Sequence, residues 1–566
     1  MKKYNLINNC LGWLCFIVAA VTYMLTLEPT ASFWDCPEFI SQGYKLEVGH
    51  PPGNPIFMLA ARFFVNFAGG DTSRVALMVN AMSGLLSAAT ILLLFWTITH
   101  LVKRLIVKND ATEVSLTKML VIFGSGLCGA LVYTWSDTFW FSAVEGEVYA
   151  FSSFCTALVF WLILKWENRA SEPHSDKYLV LIAYVIGISI AVHLLNLLCI
   201  PAIGLVIYYR LYKHTTARGS LVTLAVSAVV VGLILYGLVP GFIEVAQYFE
   251  LFAVNTLGMS FNMGVLIYAI CAVGAFVWAI RELYVQRSVA RIRWSVALAI
   301  LMSGIPFIGE SLLIPVVFMI AVVGFLWLAP KLPVRLLNLV VTGIFVIFIG
   351  YSSYALLLIR STANPPMNQN APDNVFSLAS YLNREQYGER PLFYGQTLNS
   401  GVVYQVDNSM STSPLFTPGA ANYAKQVKTS PDDPDRYIVT GYKKNYTLNP
   451  ELNMLFPRIY SGAHAQAYRD WTGMKGVPTT VYPYVDTQGN PLEQYADVKI
   501  KPTMGENLSF FLIYQLNHMY WRYFMWNFAG RQNDIQGNGE VNHGNWISGI
   551  PFIDNPRLGD QSLLPY

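Results

Sequence analysis

Apolar runs follow one another from residue 11 to residue 358, separated by short polar connections, and then stop. A helix that spans a bilayer needs roughly 20 apolar residues. The pattern predicts eleven spans: 11–27, 75–101, 117–134, 148–166, 178–193, 195–209, 219–238, 263–281, 294–308, 311–329 and 336–358. Several are short, and the pairs meeting near His193 and near Glu310 read either as tight hairpins or as single broken helices. Residues 360–566 hold no run long enough to span and are rich in Asn, Pro, Gly, Tyr and Asp. At about 200 residues that stretch can bury a core of its own. The expected architecture is a polytopic α-helical module over 1–359 with about eleven transmembrane helices, followed by a mixed α/β soluble domain over 360–566.

Residues 53–67 are apolar enough to suggest a further span, but Asn54, Arg62 and Asn66 fall on one helical stripe. An amphipathic helix lying at the interface fits that pattern. Charge supports this choice. Cytoplasmic connections of membrane proteins carry the excess of Lys and Arg. With eleven spans and a cytoplasmic amino end, the inward connections carry eighteen, from Lys2 and Lys3 through Lys103, Arg104 and Lys108 to Arg335. The outward connections before residue 360 carry three: Lys45, Arg62 and Arg74. A crossing at 53–67 would reverse that bias. The first outer loop is then 28–74, the first span is an uncleaved anchor, and the domain after residue 360 lies outside.

Composition agrees. The 566 residues are 54% hydrophobic and only 13% charged, against about 25% charged in a soluble domain. A net charge of +3 does not suggest a nucleic-acid partner. Seven cysteines, none after Cys271, give no disulfide framework.

Polar groups next to a membrane need a reason, and here they gather on the outer face. Asp35 and Glu38, three apart, share one face of a helix. They also read as a capping box, with Asp at the N-cap, Pro37 in the first turn and Glu at N3; a cap and a catalytic carboxylate are compatible roles. His50-Pro51-Pro52-Gly53 predicts a stiff, extended stretch followed by a turn. That would position an imidazole beside the acids, or simply lead into the interfacial helix at Asn54. Glu145 and Glu147, two apart, point in different directions, so at most one faces a site; both also suit a solvated helix start. His193, with Asn196 three residues on, reads as a buried, satisfied histidine or as a site residue. Arg360 reads as a snorkelling flank or as a cation for a lipid phosphate. Glu244, Glu250 and Glu310 fall in later outer connections. No Walker loop, G-x-S-x-G or H-E-x-x-H occurs.

A carboxylate at the aqueous face of a membrane suits transfer from a lipid-borne donor, the simplest case being glycosyl transfer from a polyprenyl-phosphate sugar. The carboxylate takes the proton of an incoming Ser or Thr hydroxyl, and a cation or hydrogen-bond donor stabilises the departing phosphate.

The run Trp34-Asp35-Cys-Pro-Glu38-Phe39, followed by Gly49-His50-Pro51-Pro52-Gly53-Asn54-Pro55, resembles the first outer loop of a bacterial family of GT-C glycosyltransferases. That family is common in Bacteroidetes and is related to the eukaryotic transmembrane protein O-mannosyltransferase of plexin-type IPT domains. Supporting likenesses are Ala143-Val-Glu145-Gly-Glu147-Val-Tyr149, Val192-His193-Leu-Leu-Asn196, and the run from Asn364-Pro-Pro366 through Ser380-Tyr-Leu-Asn-Arg384-Glu-Gln-Tyr387. The resemblance implies a GT-C fold with Asp35 as catalytic base, Glu38 as its partner and His50 shaping the donor or acceptor site. It places Pro51, Asn54, Glu145, Glu147, His193, Asn196 and Arg360 as candidate substrate-binding positions.

The implied donor is a polyprenyl-phosphate hexose, most plausibly mannose. The implied acceptor is an exported protein, and the implied location the bacterial inner membrane with 360–566 in the periplasm. No cofactor or metal is expected, although Asp35, Glu38, His50 and Glu145 would make an oxygen-rich set. Members of the family often continue with further membrane segments and a further soluble region, which implies either a short form or acceptor machinery that is missing or on another chain. Rival readings are a lipid-linked glycan ligase or polymerase of the same fold and, further off, a lipid or glycan transporter.

Overall fold

Backbone groups inside a bilayer must be satisfied within their own segment, so long apolar runs become helices. The computed structural model describes residues 2–107, 113–309, 311, 313–329, 331–388 and 390–563. Lys108 and Glu310 lie outside the described residues. Two compact units are present: residues 1–386 with 423–438, and residues 387–422 with 439–566. The helical unit therefore extends past residue 359 and takes in a piece of the later chain.

The first unit runs α1 (Lys2–Leu25), α2 (Cys36–Lys45), α3 (Pro55–Val65), α4 (Val75–Ile106), α5 (Leu116–Thr134), α6 (Asp137–Ala143), α7 (Val148–Arg169) and α8 (Lys177–Ile190). It continues with α9 (Ile200–Leu211), α10 (Ala217–Gly232), α11 (Val239–Leu251), α12 (Met263–Val285), α13 (Val289–Met302), α14 (Leu313–Leu328), α15 (Val334–Tyr351), α16 (Ala355–Thr362) and α17 (Val375–Leu382). Among the described residues, eight helical stretches are long and apolar enough to cross a membrane: 2–25, 72–106, 116–134, 148–169, 194–211, 217–256, 263–285 and 334–362. The segments expected near 178–193, 294–308 and 311–329 are also helical, but α8, α13 and α14 have only 14, 14 and 16 residues. At 1.5 Å per residue these reach about 21–24 Å, short of a hydrocarbon core of about 30 Å. Residues 55–68 form α3 and one 3-10 turn, again too short to cross.

One expected connection is instead helix. Residues 217–256 continue as α10, a π-helical turn at Leu233–Leu238, α11 and a second π turn at Phe252–Thr256. Pro240 stands in the first turn of α11 just after the π segment, where its missing N–H and ring are accommodated. Glu244 and Glu250 thus ride on a helical extension. Glu250, fully buried, accepts from Asn262 N (2.5 Å), Val265 N (3.2 Å) and Tyr437 Oη (3.1 Å). It ties α11 to the start of α12 and to the 423–438 segment.

Packing of α8 against α15 is backbone to backbone: a Cβ on Gly187 would meet Ile347 O at 2.5 Å. Small residues allow this in membrane helices. α7 runs from Val148 to Arg169 over 22 residues, about 33 Å. At its far end Glu167 meets Arg104 and His100, and Asp176 pairs with Arg335 at 2.6 Å.

In the second unit strands Phe416–Lys425 and Tyr437–Tyr446 pair, and Val477–Val481 pairs antiparallel with Asp497–Lys501. Both members of the first pair begin or end in the 423–438 segment assigned to the first unit. Leu398, Ile459, Tyr468, Met474 and Phe510 form its core. This is the mixed α/β region expected from the loss of apolar runs after 360.

Candidate active site

The site is built at the start of α2. Cys36, Phe39 and Ile40 are buried with Phe57, Ala61 and Val79, so α2 lies flat on α3 and α4. Asp35 precedes the helix and stays exposed; its side chain is 58% accessible. Trp34, at φ 62°, and Phe33 are exposed beside it.

The expected capping box is absent. Asp35 occupies the N-cap position with Pro37 in the first turn, but its side chain makes no capping hydrogen bond. Glu38 does not reach back to the N-cap either. Its Oε1 accepts from the backbone N–H of His50 (2.7 Å), from Gln42 Nε2 (2.9 Å) and from the ring Nδ1 of His50 (2.8 Å), while Oε2 accepts from Gln369 Nε2 (3.2 Å). Four donors from three other residues outcompete the local cap.

The other face of the ring looks toward Asp35, with Nε2 3.9 Å from Oδ2. The order is therefore Glu38, His50, Asp35, with imidazole between two carboxylates. Burial works against ionised Glu38, yet its hydrogen bonds from His50 hold it below the usual carboxylate range. The bond to Glu38 first, and then the charges of Glu38 and Asp35, raise His50 above the usual imidazole range.

Residues 46–54 turn rather than run extended. The Gly53 N–H donates to His50 O (3.0 Å), the Pro51–Pro52 bond is cis, and Gly53 has φ 75°. Gly49 packs against the ends of Gln42 and Glu38, which a Cβ there would displace. Pro51 is buried, as is Asn54, which precedes α3 without a side-chain cap bond. The segment after α16 closes the loop. Val48 N donates to Met367 O and Gln369 N to Val48 O, both at 3.0 Å. Tyr381 Oη donates to Gly49 O at 2.6 Å. The chain beyond residue 360 thus starts at the same end of the bundle as Asp35.

Arg360 has a supporting contact. Its Nε donates to Leu46 O at 2.7 Å and an Nη to Lys45 O at 3.3 Å. These are carbonyls at the carboxyl end of α2, where a cation also suits the helix dipole.

Both acids of the second connection are buried. Glu147 caps α7, accepting from Val148 N at 3.2 Å. Burial, then the charge of Glu145 and, more weakly, that of Asp35, push its carboxyl up to about 8. His50 acts on it in the opposite sense. Glu145 bonds Ser32 instead; burial raises it as well, and its Oε2 has no partner.

His193 precedes the 3-10 turn Leu194–Cys199, with Nδ1 accepting from Leu195 N at 3.2 Å. Its ring packs 5.5 Å from Tyr149, two residues beyond Glu147. Asn196 is 1% exposed and both amide atoms lack partners. Such a group is costly unless something bonds it.

Gln42 was missed by sequence reasoning, and Gln369 and Tyr381 fell within a stretch of resemblance without being singled out. Gln42 lies one turn past Glu38, a spacing that could have flagged it. Arg384 was quoted only within a stretch of resemblance. Its charge opposes a proton on His50, and it joins burial in opposing one on His193. It is the cation shared by the two imidazoles. Among the described residues no three His, Cys, Asp or Glu converge to hold a metal. Glu38 is already committed to its donors.

Residues 35–216 match the family model described as protein O-mannosyl-transferase TMEM260 N-terminal domain, and residues 388–512 match a family of unknown function (DUF8416). The chain is 25% identical over 189 residues to protein O-mannosyl-transferase tmem260 of Dictyostelium discoideum, covering 32% of this chain and 21% of that protein. It is 28% identical over 229 residues to protein O-mannosyl-transferase TMEM260 of Mus musculus, covering 40% of this chain and 29% of the mouse protein. The matched part is thus under a third of either relative. No solved structure matches.

Proposed function

We propose that this chain, whose residues 35–216 carry a TMEM260-type N-terminal domain, is a membrane-embedded protein O-mannosyltransferase of GT-C type. It moves a hexose, mannose by analogy with those relatives, from a polyprenyl-phosphate donor to Ser or Thr of an exported protein. The observation that carries this reading is the exposed Asp35 carboxylate 3.9 Å from the His50 imidazole, which Glu38 bonds at 2.8 Å and whose proton affinity it raises.

Asp35 takes the proton of the acceptor hydroxyl, and the oxygen attacks the anomeric carbon. The bond to the lipid phosphate breaks in the same displacement and the configuration inverts. His50, whose proton affinity Glu38 and Asp35 raise, adds positive charge where the phosphate departs when it is protonated. Arg384 supplies the second positive charge, and its own repulsion of a proton on both imidazoles supports that location. Glu38 is a positioning residue acting through His50. Glu147, protonated at neutral pH, is a hydrogen-bond donor rather than a second anion. Exposed Trp34 and Phe33 offer apolar surface beside Asp35 for the lipid or the acceptor.

Transfer of radiolabelled mannose from polyprenyl-phosphate mannose to a Ser/Thr-rich acceptor, by the purified protein in detergent, tests the reading. Transfer that proceeds with that donor and stops with mannose nucleotide alone supports it. Transfer only from a lipid diphosphate oligosaccharide would replace it with a glycan ligase.

A further inference from the structure

At the end of α4 and α7 remote from Asp35, helices α1, α4 and α7 enclose a cleft of about 390 Å3. Lys103 of α4 and Lys165 of α7 line it with Asn8, Asn168 and Trp13. Among the described residues neither lysine has a carboxylate partner. Lys103 Nζ lies 4.8 Å from the centre of the Tyr4 ring, and Lys165 Nζ lies 4.7 Å from that of Trp161.

The nearby acid is already used: Glu167 accepts from Arg104 and from His100 Nε2 (3.2 Å). Asn168 Nδ2 completes the row by donating to His100 Nδ1 at 3.4 Å. The cleft therefore holds two ammonium groups with aromatic contacts but no counter-ion. Asn8 Oδ1 is buried there without a partner. Such a surplus of charge between membrane helices fits an anionic headgroup.

The outer wall says which kind of anion. On α1, Leu6, Trp13, Ile17 and Val21 are all more than half exposed. Their spacings of seven, four and four put them on one stripe. Trp13 belongs to both the stripe and the cleft. An acyl chain on the stripe leads a headgroup to the lysines.

We propose that this cleft binds the phosphate of an anionic membrane lipid, at the end of the bundle opposite the Asp35 centre. The site is independent of the function proposed above. The phosphate oxygens accept from Lys103 and Lys165, and Asn8 Oδ1 accepts from a headgroup hydroxyl.

The test is native mass spectrometry and thermal unfolding of the full chain. It is titrated with phosphatidylglycerol, with phosphatidylcholine, and with glycerol 3-phosphate as the soluble phosphate. Phosphatidylglycerol is expected to be retained selectively and to raise Tm. In the K103Q/K165Q double variant its affinity falls about 30-fold, while K103R/K165R retains it. Equal retention of the two lipids by the wild type overturns the proposal, whether or not the glutamine variant folds. So does undiminished phosphatidylglycerol binding in a folded glutamine variant. Equal protection by glycerol 3-phosphate overturns the lipid assignment.

Discussion

Glu38 holds His50 twice, through the backbone N–H at 2.7 Å and through ring Nδ1 at 2.8 Å. One carboxylate oxygen thus fixes both where the loop lies and which way the imidazole faces. Nε2 is left turned toward Asp35, so Glu38, expected as the partner of Asp35, reaches it through the histidine.

Asp35→Asn is expected to lower transfer by about 10²–10⁴-fold, the usual worth of a general base. Its Tm should stay near that of the wild type. Asp35 stands at an N-cap but makes no capping bond, so the roughly 1 kcal/mol usually lost with a cap is not at stake. Steady-state transfer and a thermal melt read both quantities; normal turnover in a folded variant would remove Asp35 from the role of base.

Glu38→Gln tests the support role through pH. His50 is raised, so its charge contributes stability that is complete below the unfolded pKa and is lost as pH rises through the folded one. Glu38 is lowered, so its contribution is present above the unfolded pKa and lost as pH falls through the folded one. The pair is intact between those limits. In the glutamine variant the alkaline limb of the kcat profile should move down toward the ordinary imidazole value near 6.5. A profile that keeps its alkaline limb while kcat falls would mean that Glu38 acts on something other than the His50 proton.

How much of this was legible follows from the range of each interaction. The long apolar helices over 75–101 and 148–166 were legible because apolarity over some 20 residues is a local signal. The 217–256 helix was cut short because Pro240, Glu244 and Glu250 look like a connection. Only the partners of Glu250, at Asn262, Val265 and Tyr437, show how its carboxyl is accommodated inside. Asp35 and His50 could be paired from their shared loop. Gln369 and Tyr381 lie more than 300 residues further on and reach the loop only through folding. The capping box failed for the same reason: a local pattern lost to a partner twelve residues away.

Arg384→Gln should raise the KM for the polyprenyl-phosphate donor more than it lowers kcat, if that guanidinium meets the phosphate in the ground state as well as in displacement. Removing its charge also relieves His50, so the alkaline limb should move up, opposite to the Glu38→Gln shift. Donor titrations at several pH values separate the two effects. An unchanged donor KM would leave Arg384 outside the phosphate site.

Glu147→Gln separates a neutral donor from a charged group. Burial and the neighbouring charges of Glu145 and Asp35 put the Glu147 carboxyl at about 8, against 4.5 for the free group. Because the folded state holds this proton more tightly, stability falls as pH rises from about 4.5 to about 8 and is level beyond. The full span of that loss is at most about 5 kcal/mol. Glutamine keeps the shape and can still donate a hydrogen bond, but it cannot ionise. The variant should therefore match the wild type near pH 5 and exceed it in Tm near pH 8. Transfer at neutral pH should be retained within about tenfold, since the neutral form is the one in use. Glu147→Ala, which removes the donor and the α7 cap together, should lose both activity and stability. A glutamine variant as inactive as the alanine one, with Tm parallel to the wild type across pH, would show that the carboxylate is the working form.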